Sequence, residues 1–168
     1  LIGKKVILEL DALSNKSKLF LIDSILWQLY LTYLNKTSNG EIEKGKLHTL
    51  FILEEAHNLL KGSTEGKNES VTEIMLRQAR GIGLGLVVID QVPSLLNPVA
   101  MANVNTVIAQ VLGSKRDLNF IANTMLLYED DARYPQLLQV GEIIAKKMGS
   151  APFNAKIGFQ KLKEETVS

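Results

Sequence analysis

At 168 residues, 46% hydrophobic and 22% charged, the chain is long enough to bury a core and too apolar to be disordered. A formal net charge of +1 announces no nucleic-acid or membrane surface through bulk charge, which leaves only local patches for such partners. The lack of cysteine excludes disulfides and thiolate chemistry and fits a reducing, cytoplasmic interior. The chain begins Leu1-Ile2-Gly3 without an initiator Met or a signal-peptide pattern, so it is expected to be part of a longer protein.

Residues 6–10 predict a first strand, ending at Asp11. Ser14-Asn15-Lys16-Ser17 carries helix-start chemistry, because short oxygen-bearing side chains accept from free first-turn N–H groups. A helix is expected over about 18–34. Its apolar residues cover almost the whole circumference, which predicts a helix sandwiched between a sheet and another layer. It is short for a membrane span and carries Asp23 and Gln28, so it reads as buried, with Trp27 and Tyr30 as packing residues. Residues 35–46 are polar, with Asn39-Gly40 as a turn signal.

Residues 47–53 read as the central strand, buried on both faces as in a parallel sheet. A helix is expected from 55 to 61. Gly62-Ser63-Thr64-Glu65-Gly66-Lys67-Asn68 reads as a surface loop; it lacks the G-x-x-x-x-G-K-[ST] spacing of a phosphate loop. Ser70-Val71-Thr72-Glu73 resembles a capping box and opens a helix to about Arg80. Gly81, Gly83 and Gly85 follow a helix and precede a strand, the reverse of a dinucleotide fingerprint, so they read as a helix stop and turn.

Residues 84–90 predict a second apolar strand ending in Asp90-Gln91, and Asn97-Pro98 a short helix or turn. A further strand is expected over 105–112, a helix after Ser114-Lys115-Arg116-Asp117 through about Met125, and an acidic loop over 128–131. Residues 142–147 and 154–160 predict an antiparallel hairpin around Gly149-Ser150-Ala151-Pro152, before a frayed tail over 161–168. Strands alternating with helices imply an α/β fold with a mostly parallel sheet flanked by helices.

The chemistry concentrates where the central strand ends. Glu54 and Glu55 emerge there, at the edge where α/β sheets bind ligands. Adjacent carboxylates are costly without a cation, and Mg²⁺ on a nucleotide is the usual one; acids at a helix start are the bland alternative. His57 lies beside them without a second His, Cys or paired acid at ligand spacing, which argues against zinc. His48 reads as structural. With two His in the chain, local spacing assembles no Ser-His-Asp set.

Leu50-Phe51-Ile52-Leu53-Glu54-Glu55-Ala56-His57 is followed, after one helix, by Arg77-Gln78-Ala79-Arg80-Gly81-Ile82-Gly83-Leu84-Gly85 and by Val88-Ile89-Asp90-Gln91-Val92-Pro93-Ser94. This order resembles the HerA/FtsK superfamily of P-loop ATPases, and most of all its HerA branch of DNA helicases and translocases. There a Walker B strand ending D/E-E-A-H precedes a helix ending in Arg, a Gly-Leu-Gly turn and a strand ending T-Q-R-P-S. Residues 6–34 and 103–106 are similar to the flanking segments, so the resemblance spans most of the chain. Glu54 stands where the family usually has Asp, and Asp90-Gln91-Val92-Pro93 replaces Thr-Gln-Arg-Pro. Walker A is absent and is expected upstream of Leu1.

The resemblance implies a RecA-like core fragment over 1–160 with a tail over 161–168. It implies ATP and Mg²⁺ as cofactors, Glu54 holding the metal through water, and Glu55 polarising the water that attacks the γ-phosphate. Gln91 would sense that phosphate. Arg77 or Arg80, with Arg80 preferred, would reach a neighbouring subunit's nucleotide as an arginine finger; a basic helix end has the same composition. The intact protein would be a homo-oligomeric ring, a hexamer, acting on DNA, with a nuclease as a possible partner. Two rivals stay open: a secretion or conjugation ATPase, and a non-catalytic nucleotide-binding or assembly module. Residues 1–168 alone are expected to hydrolyse ATP negligibly.

Overall fold

The computed structural model describes residues 5–58, 60, 71–128 and 131–158, without the side chains of Thr72, Glu73, Leu76, Arg80 and Val99. The expected 62–68 loop, the capping box, much of the acidic loop, the end of the last strand and the tail lie outside the described residues. The chain forms two compact units, residues 1–104 and 105–168.

The first unit is built on α1, Asn15–Ser38. Ser14 caps it by accepting from the Ser17 N–H at 3.2 Å. Two strands, β1 (Thr49–Glu54) and β2 (Leu84–Ile89), pair in parallel, with Leu53 opposite Val88 and Glu54 opposite Ile89. Between them the chain passes through α2, Val71–Gln78, and a 3-10 turn, Ala79–Ile82. A parallel pair needs such a crossover, because the second strand must start where the first one started. After β2, a 3-10 turn at Pro93–Leu95 leads to the one-turn α3, Pro98–Met101.

Leu26, Leu29, Tyr30 and Tyr33 of α1 pack with Met75, Ala79, Ile82 and Leu84 to form the core of this unit. Tyr30 Oη donates to the Gln78 side-chain oxygen, so its polar tip has a partner beside the core. Trp27 stacks on Tyr30 with centroids 5.5 Å apart but is itself 39% exposed, outside the core expected for it. His48 is likewise structural: its N–H donates to the Gly83 carbonyl at 2.8 Å and its ring stacks on Tyr33. Gly83 adopts φ +77, and a Cβ there would lie 2.5 Å from the Lys46 carbonyl oxygen and from His48 Cδ2. Only glycine fits both the conformation and the approach.

Four expectations for this unit change. Residues 6–10 form no strand, since apolar composition makes a strand only where a neighbour offers a ladder, and none is paired to them among the described residues. Strand β1 is not buried on both faces: Leu50 and Ile52 are exposed on one face, beside Val87 and Ile89 of β2. Nor is α1 sandwiched, for Phe20, Trp27, Leu31 and Leu34 stay exposed opposite its packed face. The helix expected after Glu55 appears as a 3-10 turn, Ala56–Asn58.

The second unit is a three-stranded antiparallel sheet in the order β3 (Thr106–Ala109), β4 (Glu142–Lys147), β5 (Phe153–Lys156). The helix α4, Lys115–Met125, is capped by Ser114 and ends on Leu126 in the left-handed region, φ 51. A one-turn helix, α5 (Tyr134–Leu137), precedes β4. Ala109, Ile121, Met125, Leu138 and Ile144 form the core here. The hairpin expected from the sequence is present, with Ala145 opposite Phe153. The single mostly parallel sheet is not found among the described residues: β3 pairs antiparallel with β4. An apolar run looks the same in either direction, so the sequence carried no signal for this. Among the described residues, no helix is long and apolar enough to cross a membrane.

Candidate functional site

Parallel pairing brings the carboxyl ends of β1 and β2 side by side, and the polar residues that follow each strand converge there. Straight after β1, Glu55 turns the chain with φ 50, a left-handed conformation uncommon for a residue with a side chain. Its carbonyl oxygen accepts from the Asn58 N–H at 3.1 Å and from Asn58 Nδ2 at 3.3 Å, and Ala56 accepts from the Leu60 N–H. The turn therefore has its own hydrogen bonds. It takes Glu55 out of the strand pleat, whereas Glu54 keeps its strand register opposite Ile89.

Four side chains form one network. Gln91 Nε2 donates to Glu55 Oε1 at 2.9 Å. Glu55 Oε2 lies 3.5 Å from His57 Nδ1. Asp90 Oδ2 accepts from the His57 backbone N–H at 2.6 Å and faces His57 Nδ1 at 2.9 Å. Asp90 Oδ1 accepts from the Val92 N–H at 2.8 Å. A carboxylate only accepts, so His57 Nδ1 carries a proton facing Asp90. The Asp90 side chain is 2% exposed and that of Glu55 is 49% exposed. One acid is thus committed to structure, while the other is held in place and open to solvent.

Ligand-type atoms of Glu55, His57 and Asp90 lie within 4.8 Å of one another. The acids that His57 lacked in sequence spacing therefore reach it in space. A cation among them would have to displace the Nδ1 proton that serves Asp90, so the trio is a closed hydrogen-bonded set. Glu54 differs: it is exposed and stands outside this network. An exposed carboxylate at a strand's carboxyl end suits Mg²⁺, which keeps much of its water and takes one or two carboxylates.

Of the residues singled out from sequence, Glu55 and Gln91 meet directly, and Glu54 adjoins them in the chain. Arg77 is exposed in the last turn of α2. Arg80 falls in the Ala79–Ile82 turn, its side chain outside the described residues. Sequence reasoning missed the pairing of His57 with Asp90. The available signal was a His three residues past one strand end and an Asp directly after the next, which matters only once the strands are known to be neighbours.

No family model matches the chain, and no curated protein sequence matches it. Solved structures do. The genome packaging NTPase B204 from Sulfolobus turreted icosahedral virus 2, in complex with AMP, superposes with a TM-score of 0.62 at 18% identity, covering 82% of this chain and 63% of that one. The same NTPase with ATP-gammaS gives 0.56 at 19% identity, covering 66% and 52%. VirB4 of Thermoanaerobacter pseudethanolicus gives 0.57 at 18% identity, covering 90% of this chain and 40% of that one. The chain thus spans about half to under two-thirds of the packaging NTPase. At these identities the likeness concerns the fold: the chain shares the α/β fold of these proteins.

Proposed function

We propose that the chain is part of a RecA-like P-loop ATPase motor of HerA type, with residues 1–160 belonging to its ATPase domain and 161–168 a tail. The observation that carries this is the meeting of Glu55 and Gln91 at adjacent carboxyl ends of two parallel strands. The fold shared with a DNA-packaging NTPase supports the same class. The phosphate-binding loop is supplied from outside residues 1–168, which contain no G-x-x-x-x-G-K-[ST] sequence.

In this reading ATP binds over the carboxyl ends of β1 and β2. Mg²⁺, when bound with the nucleotide, compensates charge on the phosphate oxygens, and Glu54 would hold it through water. Glu55 accepts a hydrogen bond from the attacking water and orients it towards the γ-phosphate. Phosphoryl transfer needs mainly positioning and charge compensation, so one well-placed carboxylate is an adequate activator. Gln91, bonded to Glu55, exchanges that bond for a phosphate oxygen and so reports nucleotide state. Arg80, or Arg77, completes the site of a neighbouring subunit in a hexameric ring. The motor works on DNA in the cytoplasm, with a nuclease as partner.

A second reading keeps the ATPase and changes the cargo. The VirB4 structure covers 90% of this chain, which favours a secretion-type motor to that extent. ATP hydrolysis by the longest native gene product, with and without double-stranded DNA, separates the two. Several-fold stimulation by DNA is expected. Hydrolysis indifferent to DNA would favour the secretion-type motor, and Mg·ATP binding without hydrolysis would favour a non-catalytic module.

A further inference from the structure

We propose that His57 and Asp90 are positioning residues that fix the Glu55 carboxylate for its reaction, an inference that rests on the role given to Glu55 above. The argument starts from Asp90. A carboxylate only 2% exposed is costly unless donors surround it, and three do: the His57 N–H, the His57 imidazole and the Val92 N–H. Two of the three come from His57, which lies 33 residues away in sequence and just past the neighbouring strand. The buried charge is therefore a clip that ties the end of β2 to the turn after β1.

Glu55 needs such a clip. Its left-handed backbone is a conformation that persists only when its surroundings hold it. Glu55 Oε1 accepts from Gln91, the residue after Asp90, and Oε2 lies 3.5 Å from Nδ1 of His57, a member of the clip. The same Nδ1 proton faces Asp90 at 2.9 Å, so Asp90 fixes the imidazole tautomer and ring orientation presented to Glu55. His57 is thereby placed to orient rather than to take a proton at Nδ1. Releasing the clip leaves Glu55 exposed, with a backbone free to relax, and a misplacement of about 1 Å at a reacting centre costs about 100-fold in rate.

The test uses the longest native gene product and compares His57→Ala, Asp90→Ala and His57→Asn. Asn retains an N–H donor near the Nδ1 position. We expect both Ala variants to lower kcat for ATP hydrolysis by about 30-fold or more, with KM for ATP within about threefold of wild type, and His57→Asn to recover most of the loss. A second readout needs no activity. Nitrogen-15 NMR of the imidazole should show His57 as the Nδ1–H tautomer in the wild type and lose that signature in Asp90→Ala. A kcat within twofold of wild type in His57→Ala, alongside a Glu55→Gln variant that is inactive, overturns the inference and leaves the Glu55 reading intact. So does a loss of kcat that His57→Asn does not recover, or an Nε2–H tautomer in the wild type. A wild-type protein that binds ATP without hydrolysing it removes the Glu55 reading and this inference with it.

Discussion

In residues 1–104 the two strands run parallel, and the polar side chains beyond their carboxyl ends bond to one another across 33 and 36 residues of sequence. In residues 105–168 the strands are antiparallel, and the polar groups at the β4–β5 turn bond locally. Ser150 Oγ donates to the Lys147 carbonyl three residues away at 2.9 Å. The difference follows from direction. A parallel pair sets two carboxyl ends together, so distant residues gather at one edge. A hairpin sets a carboxyl end beside an amino end, and a short turn consumes its polar groups. Candidate chemistry therefore concentrates in the first unit, where the carboxyl ends of the parallel strands meet.

The largest effect that probes this comparison is core truncation. Met75 is fully buried in the core of the first unit, and Met125 is fully buried in the second. Either Met→Ala change should cost about 2–5 kcal/mol. Hydrogen exchange should show protection lost first in the unit that carries the substitution; equal loss in both units would break the comparison. Next comes Gly83→Ala, which forces a Cβ against the Lys46 carbonyl oxygen at the start of the parallel pair. A destabilisation of about 1–3 kcal/mol in a denaturant titration is expected, because backbone must move.

The smallest effect compares the two left-handed residues. Leu126 caps α4 with φ 51 and is 75% exposed, so Leu126→Gly should raise stability by about 0.5–1 kcal/mol with no change in hydrolysis. Glu55→Gly relieves the same conformation but should abolish turnover. If Glu55→Gly keeps turnover, the Glu55 carboxylate takes no part in hydrolysis.

Much of this architecture was legible because local signals agreed with the final contacts. Ser14 marked a helix start through its oxygen and caps as expected. The apolar runs at β1 and β2 were long enough to stand out, and Gly83 marked the turn between helix and strand. Residues 6–10 misled because an apolar run predicts a strand only where a partner exists. The direction of β3 was equally hidden, since pairing is not written in composition. At the site, Glu55 and Gln91 could be named from their places after strand ends. Asp90 could not be read correctly: its burial and its three donors exist only once His57 has been folded beside it.

The central claim is that Glu55 activates water for ATP hydrolysis at the carboxyl ends of the parallel pair. Single-turnover hydrolysis by the longest native gene product, compared with its Glu55→Gln variant, tests this most directly. Glutamine keeps the shape and removes the charge. The account predicts unchanged ATP binding and hydrolysis slowed by at least about 100-fold. Glu55→Gln turnover equal to wild type would contradict it and would leave the convergence of Glu55, His57, Asp90 and Gln91 a structural brace alone.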